Sequence, residues 1–254
     1  MPGSVGWMVM LSVSEVSCRP PDGAALHDVS FRVEAGRCVA LVGPNGSGKS
    51  TICRCIAGAI HPATGAITLD AVPLAGTTWE RARRGIVVIP KGSRTFPELS
   101  VVDHLWMVAT PDDGATRRDR VEASLQRFPA LRAVEHQRAG VLSGGEQQLL
   151  AIALAWSMGS RGRLLVLEEP SFGLSPRATT EVYGLLRDVA REGRAILTTE
   201  ESPGFVRGWA DEVVLLDRGR VRASGPPAAA LREDLVQEVF FGVISGVPRD
   251  TASP

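Results

Sequence analysis

The segment Gly43-Pro44-Asn45-Gly46-Ser47-Gly48-Lys49-Ser50-Thr51 determines which fold this sequence encodes. The apolar run 38–42 precedes it and has strand character, and the pattern of residues 52–57 predicts a helix after it. A strand, a glycine-rich loop and a helix in this order form the context of a phosphate-binding loop. The sequence therefore predicts an α/β fold with a site for a nucleoside triphosphate at its centre.

Each residue type in this loop has a chemical reason. Gly43, Gly46 and Gly48 allow positive φ and a close approach of backbone N–H groups to phosphate oxygens. Lys49 is expected to reach the β- and γ-phosphates, and the Ser50 hydroxyl to bind Mg²⁺. The alternative is a glycine-rich turn before an ordinary helix. The complete G-x-x-x-x-G-K-S spacing favours nucleotide binding, with all nine residues, 43 to 51, contributing to the site.

Composition limits the partners and the compartment. The 28 Lys and Arg residues balance 28 Asp and Glu residues, so no basic surface for nucleic acid is indicated. The four cysteines, at positions 18, 38, 53 and 55, have neither zinc-ligand spacing nor the pattern of a disulfide framework, which favours a cytoplasmic location. No apolar run approaches the roughly 18 to 20 residues of a membrane span. Membrane association is therefore expected only through a partner.

Two kinds of pattern alternate along the chain. Residues 8–13, 31–33 and 65–70 predict short strands around the phosphate-binding loop, and the apolar run 86–89 predicts a strand covered on both faces. From Lys91 to Trp156 the pattern is helical, and the charged stretch 116–128 is interpreted as a solvated helix face.

Two further motifs make the family resemblance specific. Leu142-Ser143-Gly144-Gly145-Glu146-Gln147-Gln148 precedes an apolar helix, and the strand pattern 163–167 runs into Glu168-Glu169-Pro170. With the phosphate-binding loop, this ordered set resembles the ATP-binding subunit of ABC (ATP-binding cassette) transporters. Ser171-Phe172-Gly173-Leu174-Ser175-Pro176 stands in the place of the family's D-loop.

The resemblance implies a fold and a set of partners. The implied fold is an α/β P-loop NTPase (RecA-like) core with an inserted α-helical subdomain and an N-terminal antiparallel β region. The implied boundaries are an ATP-binding domain at 8–242, with core 8–90 and 160–225, helical subdomain 91–159, C-terminal helix 226–242, and then a tail at 243–254. The implied ligands are ATP and Mg²⁺. The implied partners are a second ATP-binding subunit, identical or different, and transmembrane permease subunits at the inner face of the cell membrane.

The resemblance also assigns roles to residues. Ser143, Gly144, Gly145 and Glu146 form the signature expected to face the γ-phosphate of ATP bound by a partner subunit; the alternative is the N-terminal cap of a structural helix. Glu168 stands where the family has an Asp that holds Mg²⁺, and Glu169 where it has the base that polarises the attacking water. The alternative for these two is a pair of surface carboxylates at a strand end.

Three positions depart from the family pattern. Cys18 or Arg19 stands near the place of the aromatic residue that stacks on adenine, and Arg19 is the candidate. Lys91 replaces a Gln or Glu that touches the metal, so its ammonium is expected to pair with the γ-phosphate or with Glu168. Glu201 replaces the histidine that contacts the γ-phosphate. Lys91 and Glu201 are both counted among the candidate catalytic residues, with Lys49 and Glu169.

Segments 89–101 and 168–176 resemble the subgroup that takes up branched-chain amino acids. Two functions stay open at this point. The first is an ATP-hydrolysing subunit that drives a permease for branched-chain or other hydrophobic amino acids. The second is a degenerate subunit that binds nucleotide but turns over weakly or not at all beside a competent partner. Lys91, Glu168, Glu201 and the missing aromatic residue motivate the second.

Overall fold

The computed structural model of this chain describes residues 9–92, 95–111 and 114–242, without the side chain of Ser160. The predicted tail at 243–254 and the predicted strand start at Met8 lie outside the described residues. Positions 93 and 94, within the segment that resembles the branched-chain subgroup, also lie outside them.

The strands of the described ranges form two sheets. They are β1 Val9–Cys18, β2 Leu26–Glu34, β3 Cys38–Val42, β4 Thr64–Leu69, β5 Val72–Pro73, β6 Ile86–Ile89, β7 Leu164–Glu168, β8 Ala195–Glu200, β9 Glu212–Asp217 and β10 Arg220–Gly225. One sheet has the order β2-β1-β4-β5 and is antiparallel. The other has the order β10-β9-β3-β8-β7-β6, and its strands from β9 to β6 are parallel.

The helices connect these strands and cover the larger sheet. They are α1 Lys49–Ala57, α2 Thr78–Arg83, α3 Val101–Val108, α4 Arg117–Arg127, α5 Pro129–Arg132, α6 Gly144–Ser157, α7 Pro176–Arg191, α8 Pro227–Ala230 and α9 Glu233–Phe241. Helices α3 to α6 follow one another without a strand between them, as the helical pattern after Lys91 predicted.

The strands at the centre of the larger sheet are buried. Every residue of β3 and of β8 is buried, and β7 is buried up to Glu168. One apolar core lies on the side of α6 and α7, and a second joins α1 to the antiparallel sheet. Layers of helices on a largely parallel sheet define an α/β fold. The predicted P-loop NTPase fold class is confirmed by its structural neighbours, described below.

The topology brings three strand ends to one edge. Val42 of β3 pairs with Glu200 of β8, and Glu168 of β7 pairs with Thr199. Because parallel strands point the same way, the loops after β3, β7 and β8 emerge side by side. This edge is where an open α/β sheet binds ligands.

The structure corrects two predictions about strands. Strand β1 extends to Cys18 and strand β2 already begins at Leu26, so both are longer than the predicted apolar runs, because they pair with each other over most of their length through a ladder with register shifts. Strand β6 was predicted to be covered on both faces, but it lies at the edge of the sheet. Its middle residues Val87 and Val88 are consequently only half-buried.

Candidate nucleotide-binding site

Two glycines of the loop between β3 and α1, Gly43 and Gly48, leave no room for a side chain. A Cβ on Gly43 would lie 2.2 Å from the backbone oxygen of Leu216, closer than any real contact. Gly48 has φ +107°, and a Cβ there would lie 2.7 Å from a methyl group of Leu26. Gly46, with φ +77°, faces open space and needs glycine only for its backbone conformation. The loop therefore wraps tightly around an opening that its own backbone lines.

Lys49 is buried at the start of α1 and lies across this loop. Its Nζ donates hydrogen bonds to the carbonyl oxygens of Gly43, at 2.7 Å, and Pro44, at 3.0 Å. Burial lowers the pKa of Lys49, and the negative charges of Glu201 and Glu169 oppose this effect. Phosphate oxygens would provide the anionic partner that the two neutral carbonyls do not.

The loop borders a cavity of about 210 Å³. Its lining comprises residues 45–51 together with Asp22, Gly23, Ala24, Arg54 and Glu169. Asp22 and Arg54 were not predicted from the sequence. Arg54 donates to the backbone oxygen of Asp22 at 2.9 Å and forms an ion pair with its carboxylate at 3.4 Å. Arg54 follows Ser50 by four residues, so helical spacing could have placed it on the same face of α1.

The candidate adenine contact stands apart from this lining. Arg19 is exposed just beyond the end of β1 and does not line the cavity. Cys18, the other residue considered there, is buried, and its sulfur lies 3.8 Å from that of Cys55 on α1. Arg19 as an adenine contact stays a prediction.

Glu169 lies at the cavity in a left-handed backbone conformation. Its φ is +46°, which is uncommon for a residue with a side chain. Its N–H donates to the backbone oxygen and to the hydroxyl of Thr199, each at 3.1 Å, and these bonds hold the turn. The side chain is only 13% exposed. The carboxylate is thus held by the sheet at the mouth of the phosphate-binding loop.

Glu168 ends β7 and is half-buried. The buried thiol of Cys53 on α1 has a raised pKa, first because of burial and second because of the negative charge of Glu168. Glu168 as a metal ligand together with Ser50 stays a prediction.

Lys91 pairs with a carboxylate that was not predicted. Its ammonium was expected to pair with the γ-phosphate or with Glu168; among the described residues it forms an ion pair with Glu169, Nζ to Oε2 at 2.5 Å. The pairing with the γ-phosphate stays a prediction. The same nitrogen lies 4.0 Å from Glu201 and 4.1 Å from the ring centroid of Phe172. The hydrogen bond that Lys91 donates to Glu169 is the main cause that raises the pKa of Lys91. The ammonium of Lys91 thus lies close to both Glu169 and Glu201. The sequence placed these carboxylates at the positions of the base and of the histidine that contacts the γ-phosphate.

The signature residues lie at the start of α6, away from the cavity lining. Ser143 caps this helix: its hydroxyl donates to Glu146 Oε2 at 2.7 Å and accepts from the N–H of Glu146. A Cβ on Gly144 would meet Leu174 at 3.8 Å, and one on Gly145 would meet Ala178 at 3.7 Å. Both are ordinary contacts, so packing within this chain does not require glycine at either position.

The described residues fit a nucleoside triphosphate. Besides the ammonium of Lys49, the Ser47 hydroxyl is buried and lacks a hydrogen-bond partner among the described residues. Ser50 and Glu168 offer oxygen ligands, which Mg²⁺ prefers. Within the same ranges, no group of three or more His, Cys, Asp and Glu side chains is arranged to hold a metal ion.

The fold and the loop define a P-loop nucleotide-binding protein. The family model described as "ABC transporter" matches residues 26–171, which is more than half of the chain. The chain belongs to the ABC transporter family and is an ATP-binding subunit of the ATPase class. Subunits of this class work with transmembrane permease partners. None of the helices in the described ranges is long and apolar enough to cross a bilayer.

Named relatives agree with this assignment. The high-affinity branched-chain amino acid transport ATP-binding protein BraG of Pseudomonas aeruginosa is 36% identical over 92% of this chain and 100% of its own length. The probable branched-chain amino acid transport ATP-binding protein LivF of Archaeoglobus fulgidus is 31% identical over 86% and 93%. The structure of cbiO1 from Clostridium perfringens, part of the ABC transporter complex cbiONQ, superposes with a TM-score of 0.78 at 25% identity, covering 92% and 96%.

These comparisons confirm the family resemblance and the prediction of an ATP-binding subunit of an ABC transporter. They give no support to the degenerate alternative.

Proposed function

We propose that this chain hydrolyses ATP to drive a separate permease for branched-chain or other hydrophobic amino acids. The substrate class comes from the two relatives named for branched-chain amino acid transport, which the chain matches along most of its length. The main structural support for ATP hydrolysis is the position of Glu169. It is fixed at the mouth of the phosphate-binding cavity, beside the helix that begins with Lys49 and Ser50.

The roles follow from position. Lys49 and the backbone of residues 43–48 bind the phosphates, and Glu169 polarises the water that attacks the terminal phosphorus. Ser50 and Glu168 hold Mg²⁺, which when bound neutralises phosphate charge. Glu is longer than Asp by one methylene, but Glu168 ends a buried strand whose backbone is fixed by the sheet. A fixed backbone limits the positions of the carboxylate, which suits the strict geometry of Mg²⁺.

The ion pair also suggests how Lys91 acts. The ammonium of Lys91 binds Glu169 and restrains it. A γ-phosphate entering beside Lys49 competes for the same ammonium, because both are anionic. Once released from Lys91, Glu169 can accept a proton from the attacking water.

A second ATP-binding subunit completes the site. The cavity of a single chain lacks the signature residues in its lining, and Gly144 and Gly145 are not required by packing inside the chain. Bare backbone at a helix N-terminus suits the close approach of a phosphate. Supplied in trans, Ser143, Gly144 and Gly145 would bind the γ-phosphate, and Glu146 would hold the Ser143 side chain in place. The exposed Phe172, at 62%, belongs to the face that meets the partner.

The permease is expected to dock beside the helices that follow Lys91. A cavity of about 410 Å³ lies between β6 and α6 and is lined mainly by apolar residues, Phe96 and Leu154 among them. Phe96 is 58% exposed, and Trp106 and Met107 on α3 are 41% and 52% exposed. Apolar exposure of this kind marks protein contact surfaces. Through this contact we place the subunit at the inner face of the cell membrane. In this proposal the docking region is the helical subdomain 91–159, and the core comprises 8–90 and 160–225.

One experiment tests this function. The purified chain, alone and with its permease, is mixed with ATP with and without Mg²⁺, and its mass is measured by light scattering. Glu169→Gln keeps the hydrogen bonds of the turn but cannot act as base. We expect it to retain ATP and accumulate as an ATP-bound dimer, while the parent turns over. A chain that stays monomeric with ATP in both forms, and shows no turnover beside the permease, contradicts the proposal.

A further inference from the structure

A buried carboxyl that no predicted role uses lies behind the catalytic turn. Glu200 ends β8 and is 1% exposed. Its backbone oxygen accepts from the N–H of Gly43, the first residue of the phosphate-binding loop, at 3.3 Å. Its side chain points to the other loop at the same sheet edge. Glu200 therefore contacts both loops that form the nucleotide site.

The side-chain partners of Glu200 come from the segment that carries Glu169. The N–H of Ser171 donates to Glu200 Oε1 at 3.3 Å, and the Ser171 hydroxyl donates to Oε2 at 2.6 Å. Ser171 follows Glu169 by two residues, and the N–H of Phe172 closes the turn by donating to the Glu169 carbonyl at 3.0 Å. A carboxylate that accepts two bonds from one residue fixes both the position and the orientation of that residue.

Tyr183 on α7 makes the third contact, with its hydroxyl donating to Glu200 Oε1. Its ring stacks on Trp209 with centroids 4.3 Å apart, so the hydroxyl has little freedom to move. All three bonds to Glu200 come from neutral groups. Burying a carboxyl without a paired cation is costly, and an apolar residue would fill the space at a lower cost.

We infer that Glu200 is a positioning residue for ATP hydrolysis: with Ser171 and Tyr183 it holds the strained turn that aims Glu169 at the attacking water. The inference rests on the proposed role of Glu169 as the base. Thr199 holds the N–H of Glu169, and Glu200 holds the next half-turn, so the two last residues of β8 together fix the loop. Without Glu200, the left-handed conformation at Glu169 has support from one side only.

The charges around Glu200 link it to the same chemistry. The titratable groups that face it are Tyr183 on α7, Glu169 on the turn, Lys49 on α1 and Lys91 after β6. Burial raises the pKa of Glu200, the bonds from Ser171 and Tyr183 oppose this, and the charge of Glu169 raises it again.

The test compares four variants in the full chain with its permease. Ser171→Ala and Tyr183→Phe each remove one donor, and Glu200→Gln keeps the shape but not the charge. Ser171→Thr keeps the hydroxyl. We expect kcat to fall about five- to twentyfold in the first three, with the KM for ATP changed by less than about twofold. Ser171→Thr should restore most of the parental kcat.

Controls separate positioning from general destabilisation. Ser124→Ala removes a hydroxyl that is equally buried, in α4, where it bonds the Arg120 carbonyl and Ser157. It should lower stability as much as Ser171→Ala but leave kcat unchanged. If Glu169→Gln abolishes turnover while all three variants keep the parental kcat, this inference is wrong and the proposed function stands. If Glu169→Gln retains turnover, the proposed base is wrong instead.

Discussion

The ammonium of Lys91 lies 2.5 Å from Glu169, the residue at the position of the catalytic base. Lys91 departs from the family pattern in the loop after β6, and this departure suggested a degenerate site when the sequence was considered alone. The contact gives the lysine a definite place in the site. Its ammonium contacts Glu169 and Glu201. It also lies over the ring of Phe172, in the turn that follows Glu169.

The first prediction concerns this ion pair. Lys91→Gln removes the restraint on Glu169, so basal ATP turnover should rise about two- to fivefold, as expected for a partly exposed pair. Lys91→Arg keeps the positive charge and should stay near the parental rate. Steady-state phosphate release measures both. A loss of turnover in Lys91→Gln would mean that the ammonium serves the phosphate rather than restraining the base.

A second prediction contrasts two glycines of one loop. Gly43→Ala places a Cβ 2.2 Å from a backbone oxygen, and no flexible side chain can yield there. We expect the free energy of unfolding to fall by about 3 kcal/mol or more, with loss of ATP binding. Gly46→Ala meets open space at φ +77° and should cost only about 1 to 2 kcal/mol. Urea unfolding checks both values, and equal losses would contradict the contact seen at Gly43.

The third prediction separates capping from catalysis at Ser143. Ser143→Ala and Thr116→Ala each remove the hydroxyl of a capping box, so both should lower stability by about 1 kcal/mol. Only Ser143→Ala should also reduce turnover. Mixing it with Lys49→Ala should restore part of the activity, because a mixed dimer has one intact composite site. If mixing restores nothing although mixed dimers form, the signature does not act in trans.

A fourth prediction uses pH. The pKa of Glu200 is raised in the folded chain above its unfolded value of about 4.3. The folded state therefore binds more protons, and the parent loses stability as pH rises from about 4.3 through the raised pKa. Glu200→Gln lacks this titration, so its urea midpoint relative to the parent should increase across that interval. A difference that stays constant with pH would show that Glu200 does not titrate there.

The fold was predictable because its signals are local. The phosphate-binding loop stands between a fully apolar strand and a helix, and these three features are contiguous in sequence. The role of Glu200 was not predictable in this way. Glu200 ends β8, and a second glutamate, Glu201, follows it directly. Only the packing of α7 and the turn against β8 makes Glu200 buried while Glu201 remains beside Lys91.

Pairings between distant segments account for the remaining differences. The sequence suggested the γ-phosphate or Glu168 as a partner for Lys91, and the left-handed turn at Glu169 brings the next carboxylate to the ammonium. Asp22 and Arg54 enter the cavity lining through a contact between a loop and α1, separated by 32 residues. Such contacts depend on the tertiary fold and leave no periodic pattern.

We propose above that Glu169 is the base for ATP hydrolysis in a site that this chain forms with a partner. Single-turnover phosphate release from Mg²⁺ and ATP, measured by rapid quench on the assembled transporter, tests it most directly. We predict rapid release by the parent, and for Glu169→Gln a rate at least about 100-fold lower with ATP still bound. Equal rates in the two proteins would contradict the claim.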